Sequence, residues 1–352
     1  MRKITDFEVF GKKVLVRVDF NVPTKKGKIL DDFRIKKALP TIEYLNQKRA
    51  KTILISHLGD PEGKVVEELR LDCVAAHLGK LIKKKVKKID QCLGEKVKEA
   101  INFLKEGEVL MLENIRFCPE EEKNDENFAK NLASLGEIFI NEAFSVSHRA
   151  HASIVGVPKF LPSAIGFLFE EEIKNIEKFL KDYQRPLVVL IGGKKIKDKA
   201  PLIEKFSEIA DFILVNHPIW EEIKKSQIKL KFPEKVLAPV DGYNETNIPK
   251  DIGPKTIKIF SEKIKSAKTI FWNGPFGKIE EKKYQKGTKA IVKAILKSKA
   301  LSLIGGGETI EFTNKLKLTN KFSFASTGGG ALFNFLAGKR LPGLEVLGYY
   351  GN

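Results

Sequence analysis

The sequence predicts an α/β protein in which two parallel sheets, each with helices on both faces, lie in successive domains. Apolar runs of five to eight residues alternate with helical patterns along most of the chain, and this alternation is typical of βαβ units. A length of 352 residues suits two domains of ordinary size. Polar residues or glycines follow the apolar runs in both halves. Because ligands of open α/β sheets bind beyond the carboxyl ends of the strands, we expect one site in each half.

In the first half, the residues that follow the predicted strands indicate a site for a small anion. Arginine is scarce in this chain, and its planar guanidinium suits phosphate and carboxylate better than an ammonium group does. Any one arginine could form a surface ion pair, but three in comparable positions predict a phosphorylated acid as the ligand. Asp19 and Asn21 could bind substrate hydroxyls or cap the following turn. The candidate residues are Asp19, Asn21, Arg34, His57, Arg116 and Arg149, with His148 and His151 nearby at a spacing that does not favour a metal site.

The two halves are joined by a stretch that predicts one amphipathic helix. Pro158 and Pro162 lie at the end of the first half. A helical pattern, FLFEEEIKNIEKFLKDYQRP, follows and ends at Pro186, before the next apolar run. Apolar side chains recur along it at helical spacing, so the helix must pack on something. We therefore expect a linking helix over residues 166–184.

In the second half, two glycine triplets predict phosphate binding. The apolar runs at 301–304 and 322–325 lead to Gly305–Gly307 and Gly328–Gly330, and a helical pattern follows each triplet. Bare backbone N–H groups at helix N-termini suit phosphate, whereas a single triplet could equally be a tight turn. Thr309 and Thr327 are placed to cap the two helices. The triplets therefore predict a phosphate-binding site at the ends of neighbouring strands.

Other residues of the second half fit a nucleotide site. Lys195 and Lys199 are four residues apart and would share a helical face if a helix begins there. The P-loop pattern is absent, so a Walker-type ATPase is not predicted. Glu308 offers a hard oxygen ligand for Mg²⁺ bound to nucleotide phosphates. The remaining candidates are Gly193, Asn273, Glu280 as a ribose partner, Gly306, Gly307 and Thr309.

The overall charge is weak evidence of function. The formal net charge is +18, from 63 basic and 45 acidic residues, and only nine of the basic residues are arginine. The densest lysine run, residues 81–90, predicts the solvated end of a helix and the turn beyond it. No nucleic-acid-binding motif accompanies the charge, so we expect no nucleic-acid partner. The three cysteines have no metal or disulfide spacing, and no run is long enough to span a membrane, which favours a cytoplasmic protein.

Taken together and in this order, the motifs resemble those of the phosphoglycerate kinase family over nearly the whole chain. The matching blocks are RVDFNVP, SHLG, LENIRF, HRAHAS, DIGPKT, NGPFG, STGGGA and GKRLPG. The resemblance implies two Rossmann-like domains and reversible phosphoryl transfer from 1,3-bisphosphoglycerate to ADP, with magnesium. Nothing in the sequence demands more than a monomer. It implies a 3-phosphoglycerate domain over residues 1–165, a helix over 166–184, a nucleotide domain over 185–335, and a C-terminal segment over 336–352 that returns to the first domain.

The resemblance also implies a role for each matching residue. The six first-half candidates named above would hold 3-phosphoglycerate. Arg34, Lys195, Gly307 and Gly330 would neutralise the transferring phosphoryl group, since a loose transition state needs positioning and charge rather than a nucleophile. Lys199 would hold nucleotide phosphates, Asn273 would line the nucleotide cleft, Glu280 would bind the ribose, and Glu308 would hold Mg²⁺. Closure of the two domains is expected to exclude water.

Several positions depart from the family pattern. Asp60 replaces a cation of the substrate patch, Ser145 lies in a loop that the family keeps glycine-containing, and Lys194 replaces a small residue. Glu308 replaces the family's magnesium aspartate, and a glycine-rich turn is replaced from Asn216 onward in a segment shortened up to residue 240. The sequence therefore does not predict which residues would contact the nucleotide base, or whether ATP or GTP is preferred. A non-catalytic protein that binds a phosphorylated ligand or a macromolecule is the alternative hypothesis.

Overall fold

Two six-stranded sheets, one in each of two compact units, form the fold in the computed structural model. The structure describes residues 1–194, 199–225, 230–243 and 248–351. The first unit comprises residues 1–173 and 340–352, and the second comprises residues 174–339. All neighbouring strands within each six-stranded sheet pair in parallel. The predicted fold class, α/β with two parallel sheets, is confirmed.

The first unit has its first strand at the centre of the sheet, in the order β5-β6-β4-β1-β7-β8. The chain adds strands on one side of β1 and then crosses to the other side at β7, so the topology reverses between β1 and β7. Its strands are β1 (Lys13–Arg17), the hairpin β2 (Thr24–Lys25) and β3 (Lys28–Ile29), β4 (Lys51–Ile55), β5 (Val86–Lys88), β6 (Val109–Met111), β7 (Ile138–Asn141) and β8 (Ser163–Ile165).

Helices cover both faces of this sheet, and alternate residues of β1 separate two apolar cores. Val14 and Val16 pack into one core with residues of the first two helices, whereas Leu15 packs into the other with residues of the next helices. Burial on both faces explains why β1 is apolar without alternation. The helices are α1 (Phe33–Gln47), α2 (Asp72–Leu81), α3 (Glu95–Asn102), α4 (Pro119–Lys123), α5 (Glu126–Ala133) and α6 (Phe167–Asp182).

Helix α6 runs from the first unit into the second, and a buried carboxylate holds its N-terminus. Glu142 follows β7 and accepts hydrogen bonds from the backbone N–H groups of Leu168 at 3.0 Å and Phe169 at 3.3 Å. It also accepts the hydroxyl hydrogen of Thr41 at 2.5 Å. The Glu142 carboxylate thereby accepts from N–H groups that a helix start leaves without intrahelical partners. Burial nevertheless dominates and raises the pKa of the Glu142 carboxyl to about 7.

Glu142→Gln is expected to change how stability depends on pH. Because burial raises the pKa of the Glu142 carboxyl to about 7 in the folded state, above its ordinary value of 4.5, the folded state binds more protons than the unfolded state between these values. Wild-type stability should therefore fall as pH rises through this window, by an amount on the order of 3 kcal/mol for this one group. The glutamine variant should lack this fall. Urea denaturation at pH 5 and pH 7.5 measures it, and an equal pH dependence in both proteins would contradict the argument.

The second unit has the strand order β11-β10-β9-β14-β15-β16, which reverses between β9 and β14. Its strands are β9 (Leu187–Ile191), β10 (Phe212–Val215), β11 (Val236–Leu237), the antiparallel pair β12 (Gly242–Tyr243) and β13 (Asp251–Ile252), β14 (Thr269–Asn273), β15 (Leu301–Gly305) and β16 (Phe324–Ala325). Its helices are α7 (Ala200–Ile209), α8 (His217–Lys225), α9 (Pro254–Ser266), α10 (Lys286–Ser298), α11 (Gly307–Lys315) and α12 (Gly329–Leu336), after which α13 (Pro342–Glu345) belongs to the first unit.

Both glycine triplets join a strand to a helix as predicted, but the capping prediction was wrong. Gly306 is the N-cap of α11, and Gly328 is the N-cap of α12. Thr309 lies inside the first turn of α11, where its hydroxyl accepts the N–H of Gly274 at 2.7 Å. Thr327 precedes the N-cap of α12. The threonines are therefore not the caps, and Thr309 instead ties α11 to the loop after β14.

One other local prediction needs correction, and the shared helical face of Lys195 and Lys199 falls partly outside the described residues. Residues 86–88 of the lysine-rich run form β5, the edge strand that pairs with β6, so the run is not only a helix end and a turn. Lys199 is the N-cap of α7, which begins at Ala200, so Lys199 precedes that helix. Lys195 itself lies outside the described residues. Among the described helices, none combines the length and apolar character needed to cross a membrane.

Candidate functional sites

The predicted substrate residues of the first unit lie beyond the carboxyl ends of its strands. Asp19 follows β1, His57 follows β4, Arg116 follows β6, and Arg149 follows β7. Asp19, His57 and Arg116 are buried, whereas Arg149 is exposed. Parallel strands bring these ends to one edge of the sheet. The fold thus gathers side chains that are far apart in the sequence.

Asp19 is the centre of this cluster. One carboxylate oxygen, Oδ2, pairs with Nη1 of Arg34 in the first turn of α1 and accepts the hydroxyl hydrogen of Ser145. The other, Oδ1, accepts the backbone N–H of Asn21 at 3.0 Å and lies 3.9 Å from Nδ1 of His57. The structure therefore brings Asp19, Asn21, Arg34 and His57 together as the sequence predicted, and it adds Ser145.

Gly59 links Asn21 to Arg116. Oδ1 of Asn21 accepts the Gly59 N–H at 2.9 Å, and Nη1 of Arg116 donates to the Gly59 carbonyl at 2.8 Å. The backbone of Gly59 has a φ of +65°, in the left-handed region that favours glycine. Asn114 supports the same loop, since its Nδ2 donates to Leu58 O at 2.8 Å. The loop after β4 is therefore fixed from two sides.

The cluster is positively charged and has polar atoms without hydrogen-bond partners. Nε of Arg116 and Nδ1 of both His148 and His151 are buried and have no hydrogen-bond partner among the described residues. Nε of Arg116 does lie 3.3 Å from Glu122 Oε1, but without hydrogen-bonding alignment. Burial, together with nearby arginines, lowers the pKa of His148 and brings that of His151 to about 3. The histidines are therefore neutral, and the arginines supply a charge that a small anion can match.

Asp60 reduces this charge at the rim of the cluster. Its Oδ1 lies 3.6 Å from Nη1 of Arg116, but the side chain is 70% exposed. An ion pair this exposed contributes little to stability, because solvent screens it. Its position beside Arg116 still places a negative charge where the sequence resemblance led us to expect a cation.

Arg17 is a member of the first-unit cluster that the sequence analysis missed. It lies at the end of β1 with no exposed surface, and its guanidinium contacts Ser153 and His57. Burial lowers its pKa to about 10, so it remains charged at neutral pH. A charged side chain within the apolar run VLVRVDF was the signal that could have revealed it, because a fully buried arginine needs partners.

The second unit has a cavity of about 220 Å³ beyond the carboxyl ends of β9, β10, β14 and β15. Part of its wall is apolar, with Pro218, Ile248, Pro249 and Phe276. Its polar wall includes the predicted residues Gly193, Glu280 and Glu308, together with Lys194, Asn216, Lys250 and Lys278. The cavity lies where the strand order reverses, the usual place for a ligand in an open α/β sheet.

Asn216 replaces the expected glycine-rich turn with a capped helix. Its Oδ1 accepts the N–H of Ile219 at 3.1 Å, at the start of α8. Its Nδ2 donates to Gly193 O at 3.0 Å and to Pro275 O at 3.2 Å. One side chain that lines the cavity therefore joins the ends of β9 and β14 to α8. From the sequence alone, this departure indicated only the replacement of a glycine-rich turn.

Asn273 and Lys199 contact the backbone of the loops around the cavity. Asn273 is buried, is not among the residues lining the cavity, and donates from Nδ2 to Gly305 O at 2.7 Å. Lys199 donates from Nζ to the Gly192 carbonyl. A Cβ at Gly193, where φ is +93°, would lie 2.7 Å from Lys199 Nζ and 3.7 Å from Glu308 Oε2. Glycine at this position therefore lets a cation and a carboxylate approach the same loop.

The glycines at the two helix N-termini are placed to meet an anion. Gly307 is exposed at the first position of α11, and a Cβ there would meet nothing within 4 Å. Gly330 lies in the first turn of α12. Glu308 is exposed beside Gly307, and a carboxylate at that position suits a hard cation such as Mg²⁺. The residues present therefore fit a phosphate with an associated metal ion.

Comparisons with known proteins agree along the whole chain. The phosphoglycerate kinase family model matches residues 4–227 and 221–339. A phosphoglycerate kinase of Dictyoglomus turgidum is 42% identical over 98% of this chain and 97% of its own length, and one of Moorella thermoacetica is 40% identical over 99% of both. Among solved structures, the phosphoglycerate kinase of Pyrococcus horikoshii OT3 has a TM-score of 0.89 at 31% identity, covering 99% of this chain and 98% of its own. That of Coxiella burnetii has a TM-score of 0.79 at 31% identity, covering 99% of both chains.

Proposed function

Because the chain belongs to the phosphoglycerate kinase family, we propose that each of its two residue clusters binds one of the two substrates of the phosphoglycerate kinase reaction. The chain is a kinase that transfers a phosphoryl group reversibly between 1,3-bisphosphoglycerate and ADP, giving 3-phosphoglycerate and ATP. The same full-length similarity supports this activity over the non-catalytic alternative. The division of the chain into a 3-phosphoglycerate domain over 1–165, a linking helix over 166–184, a nucleotide domain over 185–335 and a returning segment over 336–352 is part of the proposal.

The 3-phosphoglycerate site is assigned to the first-unit cluster. Support comes chiefly from the buried arginines and from the polar atoms of Arg116, His148 and His151 that have no partner among the described residues. A ligand with a phosphate, a carboxylate and a hydroxyl offers acceptors for these donors, and it offers Asp19 and Asn21 a hydroxyl to bind. The proposed substrate residues are Asp19, Asn21, Arg34, His57, Arg116 and Arg149.

The nucleotide site is assigned to the cavity of the second unit. Its partly apolar wall suits the flat base, and the glycine N–H groups and lysines suit phosphates. Glu308 is proposed to hold Mg²⁺, which supplies charge neutralisation when bound. The proposed nucleotide residues are Gly193, Lys195, Lys199, Asn273, Glu280, Gly306, Gly307, Glu308 and Thr309, although Asn273 and Thr309 would act by holding the loops.

Phosphoryl transfer is proposed to depend on Arg34, Lys195, Gly307 and Gly330. Arg34 would supply a fixed positive charge, and the two glycines would supply backbone N–H groups that neutralise developing negative charge. We also propose that the protein acts as a monomer in the cytoplasm without a nucleic-acid partner. The absence of a recognisable nucleic-acid-binding motif in the sequence supports the last point.

Opposite substitutions at Arg116 and Asp60 test the assignment of the substrate site. Arg116→Ala should raise the KM for 3-phosphoglycerate by roughly tenfold or more, because it removes a buried charge that would bind the anion. Asp60→Arg should lower that KM by about threefold at low salt, and by less at high salt, because the new charge is exposed and screened. The KM for ATP should change less than twofold in both variants. Steady-state kinetics measure all four constants, and an equal effect of Arg116→Ala on both substrates would contradict the assignment.

A further inference from the structure

A chain of four buried side chains runs from α4 to the substrate cluster. Glu121 accepts the Ser153 N–H at 2.8 Å through Oε2 and the Ser153 hydroxyl hydrogen at 2.5 Å through Oε1. Ser153 Oγ in turn accepts from Nε of Arg17 at 2.8 Å, and Nη2 of Arg17 lies 3.3 Å from Nδ1 of His57. Glu121, Ser153, Arg17 and His57 are all at most 2% exposed. These four residues are called the relay below.

We propose that Glu121, Ser153 and Arg17 are positioning residues that hold His57 as the neutral tautomer with its proton on Nε2. His57 then meets 3-phosphoglycerate as a hydrogen-bond donor and not as a cation. The inference rests on the proposed assignment of His57 to the substrate site. The tautomer itself follows from the contacts of the relay alone.

The direction of each hydrogen bond in the relay is fixed by chemistry. A guanidinium can only donate, so Nδ1 of His57 must accept from Arg17 and cannot carry a proton of its own. The Ser153 hydroxyl gives its one hydrogen to Glu121 and is left to accept from Arg17. Nη1 of Arg17 donates to Val18 O at 2.6 Å, which fixes the plane of the guanidinium. With Nδ1 an acceptor, the proton of the neutral ring lies on Nε2.

The charges around His57 favour the same state. Burial, followed by the charges of Arg17, Arg116 and Arg34 and by His151, lowers the pKa of His57 well below its usual value. Asp19 is the acidic group that could favour a proton on Nδ1, but its Oδ1 is 3.9 Å away, beyond hydrogen-bond length. Its Oδ2 is already engaged by Arg34 and Ser145. Arg17 is therefore the nearer partner of Nδ1.

Glu121 offsets part of the free-energy cost of burying the Arg17 guanidinium. A guanidinium without exposed surface costs free energy unless a negative charge and hydrogen-bond acceptors accompany it. Glu121 has no exposed surface either, and burial raises the pKa of its carboxyl, whereas the charge of Arg17 and the two hydrogen bonds from Ser153 act in the opposite direction. In its charged form Glu121 favours the charged form of Arg17. The two groups meet through Ser153. Loss of the Ser153 hydroxyl would therefore free the guanidinium to move away from His57 while leaving both charges in place.

Proton-detected ¹⁵N correlation spectra of the histidine side chains test the inference on the full chain. The protein has five histidines, and His57→Gln identifies the resonances of His57. The expected spectrum at neutral pH shows Nδ1 unprotonated and Nε2 protonated. A proton on Nδ1, or on both nitrogens, would overturn the proposal.

Ser153→Ala tests the dependence on the relay. It should mix the two tautomers of His57 and raise the KM for 3-phosphoglycerate about threefold or more, with the KM for ATP unchanged. Ser163→Ala is the matched control, because Ser163 lies in β8 of the same unit and donates to Leu161 O instead. An unchanged tautomer in Ser153→Ala would contradict the role of the relay. The tautomer of His57 and its role in substrate binding can fail separately. If the wild-type tautomer is as expected but His57→Ala leaves the affinity for 3-phosphoglycerate unchanged, His57 does not bind the substrate, and the proposal on its tautomer is still supported.

Discussion

Arg34→Ala is expected to lower kcat by about 10²–10³-fold, the usual cost of removing one preorganised charge from a transition state. Arg34 lies in the first turn of α1, and its Nη1 pairs with Asp19 Oδ2. This contact holds the guanidinium in place before substrate binds, so little reorganisation is needed during transfer. Because alanine also leaves Asp19 with fewer partners, the KM for 3-phosphoglycerate should rise as well. ADP affinity should not change.

Two further variants separate charge from geometry at Arg34. Arg34→Lys keeps the positive charge but loses the planar fork, and it should recover only part of kcat. Arg49→Ala is the control, since Arg49 is an exposed arginine of the same unit that pairs with Glu106 at 2.7 Å. Its kcat should remain within twofold of wild type. The proposed role of Arg34 is wrong if Arg34→Ala keeps kcat within about threefold at saturating substrate.

Glu308→Ala is expected to weaken the binding of Mg²⁺–ADP by roughly tenfold or more, because it removes the carboxylate proposed as a ligand of this hard cation. Binding of ADP without metal should be unchanged or slightly stronger, since the variant also removes a negative charge near the phosphates. Calorimetric titrations with and without Mg²⁺ measure the difference. This metal dependence distinguishes a ligand of the ion from a residue that only shapes the cavity.

Matched variants on the same helix make this test specific. Glu308→Asp shortens the side chain by one methylene and should retain most of the Mg²⁺–ADP affinity. Glu311→Ala removes an exposed carboxylate of α11 that pairs with Lys315 at 2.6 Å, and it should have no effect. Equal affinities of wild type and Glu308→Ala in the presence of Mg²⁺ would remove Glu308 from the metal site.

The sequence predicted the fold and the location of most candidate residues because both depend on local pattern. Apolar runs followed by polar residues identify strand ends, and parallel pairing then brings Asp19, His57 and Arg116 to one edge. The glycine triplets were located in the same way. No contact between distant residues had to be known for these predictions.

The residues that sequence analysis missed act through contacts between distant parts of the chain. Arg17 reaches Ser153, which is 136 residues away, and Ser145 reaches Asp19 across 126 residues. From the sequence, Asn216 marked the start of a replaced glycine-rich turn. Its hydrogen bonds to Gly193 and Pro275 could not be predicted, because they depend on the meeting of two strand ends. The lysine-rich run was misjudged for a similar reason, since β5 exists only through its pairing with β6.

The altered segment after β10 contributes to the wall of the second-unit cavity. Asn216 lines the cavity, and Nε2 of His217 lies 3.0 Å from the Asp241 carbonyl oxygen, which connects the shortened segment back to α8. Pro218 and Pro249 contribute to the cavity wall. The cavity therefore keeps an apolar surface for a base, and the proposal places the nucleotide there.

Turnover of the purified protein with 3-phosphoglycerate, Mg²⁺ and either ATP or GTP is the most direct test that this chain works as a kinase with its altered cavity. A coupled assay should show Mg²⁺-dependent turnover that is lost in Lys195→Ala, and the faster nucleotide identifies the preferred base. No turnover, with 3-phosphoglycerate still bound and nucleotide not bound, would contradict the assignment of the second-unit cavity and place the failure at residues 216–240.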